Sequence, residues 1–247
     1  MSPLLYSIIA TSLISLGSFI GILTLLFQEK LLSKIIFILV SFSSGVLMGN
    51  AFLRLLPEAS KELPSELVYE IVLAAFIFFF LVEKVFHWRH CHKLNCDEHV
   101  FGYMNLFGDA VHNFIDGIII GGTFMISIPL GIAMAISITL HEIPKETADF
   151  GVLLHAGFSK KKALWSNFFV KLTIVFGSIL GVLFAGSIQG FVWYLLPFAA
   201  GGFIYIAASD LIPEIRKEEK NHASMLSFVM FLVGIGFSLF TKMIGAG

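Results

Sequence analysis

The sequence predicts an all-α, polytopic membrane protein, and three observations point to it. Apolar residues of the AVILMFWYC set make up 57% of the 247, and charged residues only 13%. A soluble domain usually carries roughly 45–50% and about 25%. Mean hydropathy is +0.90, and a globule of 27.3 kDa could not hide that much apolar surface from water. Finally, the apolar residues gather into eight stretches, each close to the roughly 20 residues a bilayer-crossing helix needs. A net charge of −1 and two Cys exclude a nucleic-acid binder and a disulfide scaffold.

The eight stretches are 3–27, 34–56, 67–86, 101–126, 129–156, 163–187, 190–213 and 223–246, within a single transmembrane domain. The first lacks a basic start and is too long for a signal h-region, so it is expected to span rather than be cleaved. Basic residues orient the spans. Lys30, Lys34, Lys84, Arg89, Lys93, Lys160, Lys161, Lys162, Arg216, Lys217 and Lys220 fall in the odd-numbered loops, and only Lys61 and Lys242 on the other side. Eleven against two predicts cytoplasmic odd loops and both termini outside a plasma (inner) membrane.

A weak repeat is present. Residues 44–58 can be laid over 200–214, with Gly45, Ala51, Leu55, Pro57 and Glu58 matching Gly201, Ala207, Leu211, Pro213 and Glu214. The second stretch runs outward and the seventh inward, so the repeat is inverted, an architecture common among secondary transporters.

The fourth and fifth stretches carry polar residues that a bilayer should reject: Asp109, His112, Asn113, Asp116, His141, Glu142, Lys145, Glu146 and Asp149. Each charge at a helix centre costs roughly 2.5–3.5 kcal/mol on insertion scales, so these groups need partners, water or a cation. His112 and His141 lie about equally far from the hairpin at Ser127–Pro129, which puts them at one depth near mid-bilayer. At 100° per residue, Asp109, His112 and Asp116 share a face. His141 and Lys145 form one row of the next helix, and Glu142, Glu146 and Asp149 the adjoining row. Imidazole with carboxylate suits Zn²⁺, Fe²⁺ or Mn²⁺. His112, Asp116, His141, Glu142 and Glu146 are therefore candidate donors, with Asp109 and Asp149 modulating the site. Pro144 frees the Leu140 carbonyl and is expected to kink its helix beside the cluster. The bland alternative, a buried polar network joining two helices, accommodates any one of these residues better than it does all of them.

His112-Asn113-Phe114-Ile115-Asp116-Gly117 and His141-Glu142-Ile143-Pro144-Lys145-Glu146 resemble the paired HNxxDG and HExPHE metal motifs of the ZIP (zinc/iron permease) family. Residues 148–157, 45–58 and the run from Pro197 to Glu214 resemble that family too. The resemblance implies eight helices in a 3+2+3 arrangement related by a pseudo-two-fold, a homodimer, and alternating-access movement of divalent metal into the cytoplasm. It implies no catalytic cofactor. Zinc is the cargo expected first, with iron, manganese or cadmium beside it. Carried over by motif, one metal site falls on His112, Asp116 and His141, and a second on Asn113 and Glu142. The position that often bridges both is Lys145, where this chain departs from the family. An ammonium cannot ligate, so Lys145 is expected to stand where a second metal would be. Asn50 and Arg54 also depart, falling where Asp and His are often found, which alters a route in from outside.

Other signals are weaker. Asp210 and Glu214 could line a route out or simply cap an interfacial turn. The 87–100 loop holds His87, His90, Cys91, His92, Cys96 and His99, which would suit a labile cytoplasmic metal site but match no closed zinc-finger spacing. Gly17-xxx-Gly21, Gly45-xxx-Gly49, Gly117-xxx-Gly121 and Gly177-xxx-Gly181 allow close helix approach. The competing function is an intramembrane zinc hydrolase with Glu142 as general base. An HExxH helix would support it, but Lys145 stands where the second His should be.

Overall fold

The computed structural model describes residues 2–22, 29–88, 98–216 and 221–245, and the described residues are helical with short connections. The helices are α1 (Pro3–Leu16, continued as a 3₁₀ segment to Ile22), α2 (Glu29–Asn50), α3 (Ser65–Trp88), α4 (Glu98–Ile126), α5 (Ile128–His155), α6 (Lys160–Lys171), α7 (Thr173–Ser187), α8 (Phe191–Ile206) and α9 (Asn221–Gly245). Local chemistry sets their ends. Ser2, Ser127 and Ser159 are extended N-caps whose hydroxyls accept from Leu5, Leu130 and Lys162 N–H groups. Pro3 and Pro129 lie in first turns, where no N–H is missed. Gly157, at φ 82°, supplies the left-handed residue that closes α5.

Among the described residues, six helical stretches are long and apolar enough to cross a membrane: Pro3–Gly21, Leu31–Ala59, Ser65–Lys84, Lys160–Ser187, Phe191–Arg216 and Ser224–Met243. The sequence led us to expect eight. The two not among the six are α4 and α5, whose polar cluster dilutes their hydropathy. These two helices are nonetheless 29 and 28 residues long, ample for a bilayer. Burial separates centre from rim. The apolar window within Phe191–Arg216 is 61% buried, against 17% for Ser65–Lys84 and for Ser224–Met243. The rim helices expose Leu73, Phe80, Phe228 and Leu232, the surface expected of chains whose solvent is lipid.

The repeat has a structural counterpart. Each copy contains a five-residue π segment, Ala51–Leu55 after α2 and Ala207–Leu211 after α8, and the two are 156 residues apart. Each is followed by a Pro-Glu pair. A proline ring pushes away the carbonyl four residues back. For Pro57 and Pro213 those carbonyls, of Leu53 and Ser209, lie inside the widened segments, which gives the π turns a physical reason. The first residues of α3 and α9 are 156 apart as well. Gly45 meets α9 at Phe231, while Gly201 meets α3 at Val72 and Ala75. One helix pairing thus recurs at a constant offset.

Two of the glycine pairs face each other. A Cβ on Gly117 or Gly121 would lie 2.1 Å from the carbonyl oxygens of Ile174 or Ser178, both on α7. A Cβ on Gly177 or Gly181 would lie 2.1 or 2.4 Å from those of Phe114 or Ile118 on α4. This reciprocal backbone contact anchors α4, the helix that carries His112.

Candidate functional site

The geometry of the site starts from Ser127, the single residue between α4 and α5. A one-residue link forces an antiparallel hairpin. His112 and His141 lie 15 and 14 residues from it, and at 1.5 Å per residue both sit roughly 21–23 Å from the turn. The side chains meet: Nε2 of His112 and Nε2 of His141 are 3.5 Å apart.

Two carboxylates close the figure. Asp116 Oδ2 lies 3.5 Å from His112 Nε2 and 3.4 Å from His141 Nε2. Glu142 Oε1 lies 3.2 and 3.4 Å from the same nitrogens. One donor from each of the four residues falls within 4.8 Å of all the others. Four donors at about 2.0–2.1 Å from a tetrahedral zinc have edges near 3.3–3.4 Å, and these separations fit. Three of the four side chains are buried, and the His112 side chain is 18% exposed.

Tautomer chemistry decides what this geometry attracts. His141 Nδ1 lies 3.2 Å from the Ser137 carbonyl, which can only accept, so Nδ1 carries the proton. In the neutral ring Nε2 is then an acceptor, facing Asp116 and Glu142 at 3.4 Å. Converging acceptors repel one another unless a cation sits between them. Among the described residues, neither side-chain atom of the fully buried Asn113 has a hydrogen-bond partner.

The motif carry-over separates Glu142 from His112, Asp116 and His141; the structure places its Oε1 among them. Glu146 lies one turn further along and points elsewhere, pairing with Lys171 at 2.8 Å. Lys145 contacts Asp109 and lies 3.2 Å from Glu142 Oε1. Asp149 accepts from Asn105 at 2.9 Å. Pro144 is inside α5, which stays α-helical around it, and the Leu140 carbonyl it frees lies 2.7 Å from Ser43 Oγ on α2.

The residues expected to flank the site fall farther out. Asn50 is buried and held between Ser137 and Ser238, so it ties α2 to α5 and α9. Arg54 is buried in its π segment with Nη2 3.4 Å from the Pro129 carbonyl, at the hairpin end. Asp210 and Glu214 are exposed, in and just after the second π segment. His90, Cys91, His92 and Cys96 lie outside the described residues, as do the side chains of His87 and His99.

Lys171 is the residue that sequence reasoning missed. It was legible only as one basic residue inside an apolar stretch, yet its side chain is 1% exposed and contacts both Glu142 Oε2 and Glu146. Asn167, one turn earlier on the same face, lies 3.4 Å from Glu146 Oε2. That i,i+4 pair of polar residues was the available signal; which helix it would meet was not.

A family model described as ZIP Zinc transporter matches residues 1–99 and 90–242, nearly the whole chain. The chain belongs to the ZIP family. Its ZIP relatives include the protein named Zinc transporter ZIP13 of Pongo abelii, 33% identical over 225 residues, covering 82% of this chain and 66% of that one. The Drosophila melanogaster Zinc transporter ZIP13 homolog is 26% identical over 314 aligned residues, covering 95% and 87%. The Rattus norvegicus Zinc transporter SLC39A7 is 35% identical over 150 residues, covering 58% and 32%. The chain thus spans about two thirds of the length of the first of these ZIP proteins. These are transporters by name, and the hydrolase reading finds no support beside them. The structure also shows why: Lys145, in the position of an HExxH second His, contacts Asp109 rather than offering a lone pair.

Proposed function

We propose that this chain moves a divalent metal cation across a lipid bilayer into the cytoplasm, with zinc the preferred cargo and iron, manganese or cadmium carried beside it. The observation that carries the reading is the four-donor cluster of His112, Asp116, His141 and Glu142, placed mid-way along a buried helical hairpin. Counting α4 and α5 with the six apolar spans gives eight crossings in a 3+2+3 order. The α2–α9 and α3–α8 pairings at one offset support an inverted repeat, and rocking of such repeats about a midplane site is a general route to alternating access. The eleven-to-two distribution of basic residues supports termini outside a plasma (inner) membrane, and the family resemblance supports a homodimer. Asn50 and Arg54 then flank the outer approach, with Asp210 and Glu214 on the cytoplasmic side. The test is uptake of radiolabelled zinc into proteoliposomes. Wild-type protein is expected to load the vesicles, and His112→Ala and His141→Ala to match empty ones; equal uptake by all three would refute the reading.

Lys145 stands for a second cation in this proposal. Its ammonium neutralises Asp109 and touches the oxygen of Glu142 that faces the metal donors. Replacing it with an imidazole removes the charge and adds a ligand. Lys145→His is expected to raise bound zinc from one ion to two per chain, measured by elemental analysis of purified protein. Unchanged stoichiometry would contradict the surrogate role.

Zinc and protons compete for the same imidazole nitrogens. Metal needs the neutral form of the imidazole, so binding weakens as protons take its place. Zinc affinity is expected to weaken below about pH 6, and equal affinity at pH 7.5 and 5 would exclude imidazole ligation.

A further inference from the structure

Glu142 is held from both sides, and its two oxygens face different things. Oε1 turns toward His112 and His141, at 3.2 and 3.4 Å, with the Lys145 ammonium of its own helix also 3.2 Å away. Oε2 contacts the ammonium of Lys171, which comes from α6 rather than from the hairpin. The same ammonium reaches Glu146 Oε1 at 2.8 Å, and Asn167 reaches the other oxygen of Glu146. Lys171 is therefore anchored by two carboxylates and cannot leave Oε2 without abandoning a buried charge, which is costly. Gly17, Thr139 and Ile143 line a narrow cavity beside this pair, so the carboxylate has room to turn once the ammonium is gone.

This bears on which cation the cluster accepts. A carboxylate with both oxygens free can chelate through both, whereas one with an oxygen occupied offers a single donor. With Glu142 limited to Oε1, the cluster presents two nitrogens and two oxygens, a tetrahedral set of the kind zinc takes. Manganese favours about six ligands, oxygen-rich and octahedral, and gains from every extra oxygen.

We propose that Lys171 is a specificity-determining residue for metal binding, which confines Glu142 to one-oxygen ligation and so favours a four-coordinate cation of zinc type over manganese. The inference rests on the reading that His112, Asp116, His141 and Glu142 bind the transported metal. Lys171 touches no metal itself; it is a positioning residue acting through Glu142.

The test is competitive titration of the purified full chain with Zn²⁺ and Mn²⁺, for wild type, Lys171→Met and Lys171→Arg. Removing a positive charge strengthens binding of either ion, so the readout is the ratio of the two affinities, in which that common effect cancels. Lys171→Met is expected to lower the preference for zinc by about tenfold or more, the scale on which outer partners tune metal sites. Lys171→Arg, which keeps a cation on both carboxylates, is expected to retain the preference. An unchanged ratio in Lys171→Met would overturn the inference.

A second measurement needs no variant to fold. X-ray absorption on zinc-loaded wild type is expected to show four light ligands with no two-oxygen carboxylate; five or more, with a chelating carboxylate, would overturn the proposal. His112→Ala in the same titration separates the two ideas. If it leaves zinc affinity intact, the site assignment fails. If it abolishes zinc binding while the Lys171→Met ratio stays at the wild-type value, only the role of Lys171 fails.

Discussion

His141→Ala lowers zinc affinity by at least about 100-fold and reduces uptake to background. Substituting partners that merely orient a ligand typically costs 10–100-fold in metal affinity, and His141 is placed to be a ligand. It also holds more of the site than its own nitrogen. Its ring meets Phe203 of α8 edge-on, 6.4 Å between centroids, and its Nδ1–H is tied to the Ser137 carbonyl. Alanine removes one vertex of the tetrahedron and leaves Asp116 and Glu142 facing each other with less to separate them. Isothermal titration of the purified variant measures the effect. A loss smaller than about tenfold would mean that His141 belongs to a polar network rather than to the metal site.

Gly117→Ala destabilises the protein by about 2–3 kcal/mol and weakens metal binding with it. The added methyl would lie 2.1 Å from the Ile174 carbonyl oxygen and 2.8 Å from Ser178 N, both backbone atoms of α7 that cannot rotate away. Overpacking of this kind usually costs 1–3 kcal/mol, and relief here requires α4 and α7 to separate. Separation moves the neighbouring residue, Asp116, off its vertex. The checks are the midpoint of thermal unfolding in detergent and zinc affinity on the same sample. Gly236→Ala is the control, because a Cβ there has nothing within 4 Å and alanine is the better helix former. Equal midpoints for the two variants would refute the close-packing role.

Much of the site was legible in the chain because helical geometry is local. Periodicity put Asp109, His112 and Asp116 on one face, and the short hairpin put His112 and His141 at one depth. Neither step needs knowledge of what packs beside the hairpin. The freed carbonyl at Leu140 was equally legible, since a proline ring displaces its i−4 carbonyl wherever it stands. Its partner was not: Ser43 lies 97 residues away, on a different helix.

The rest depended on which helices become neighbours. The glycine motifs announced close approach without saying to what; the structure pairs Gly117 and Gly121 with Gly177 and Gly181. Lys171 carries one charge in an apolar run, and nothing local distinguishes a lysine that reaches the lipid surface from one that reaches Glu142. Asn50 is expected beside a route for metal; that its amide joins Ser137 and Ser238, on two other helices, is decided by packing.

The sequence by itself determined that this chain belongs in a bilayer, that its exceptional polar residues gather on two consecutive helices, and that histidine and carboxylate meet at one depth. Composition, periodicity and a short hairpin are properties of neighbouring residues, and they need no partner to act. Only the tertiary structure decided that Glu142 joins His112, Asp116 and His141 through one oxygen and gives the other to Lys171. A carboxylate's orientation is set by the charges around it. Those charges arrive from α6, whose place beside α5 is fixed by packing rather than by order in the chain.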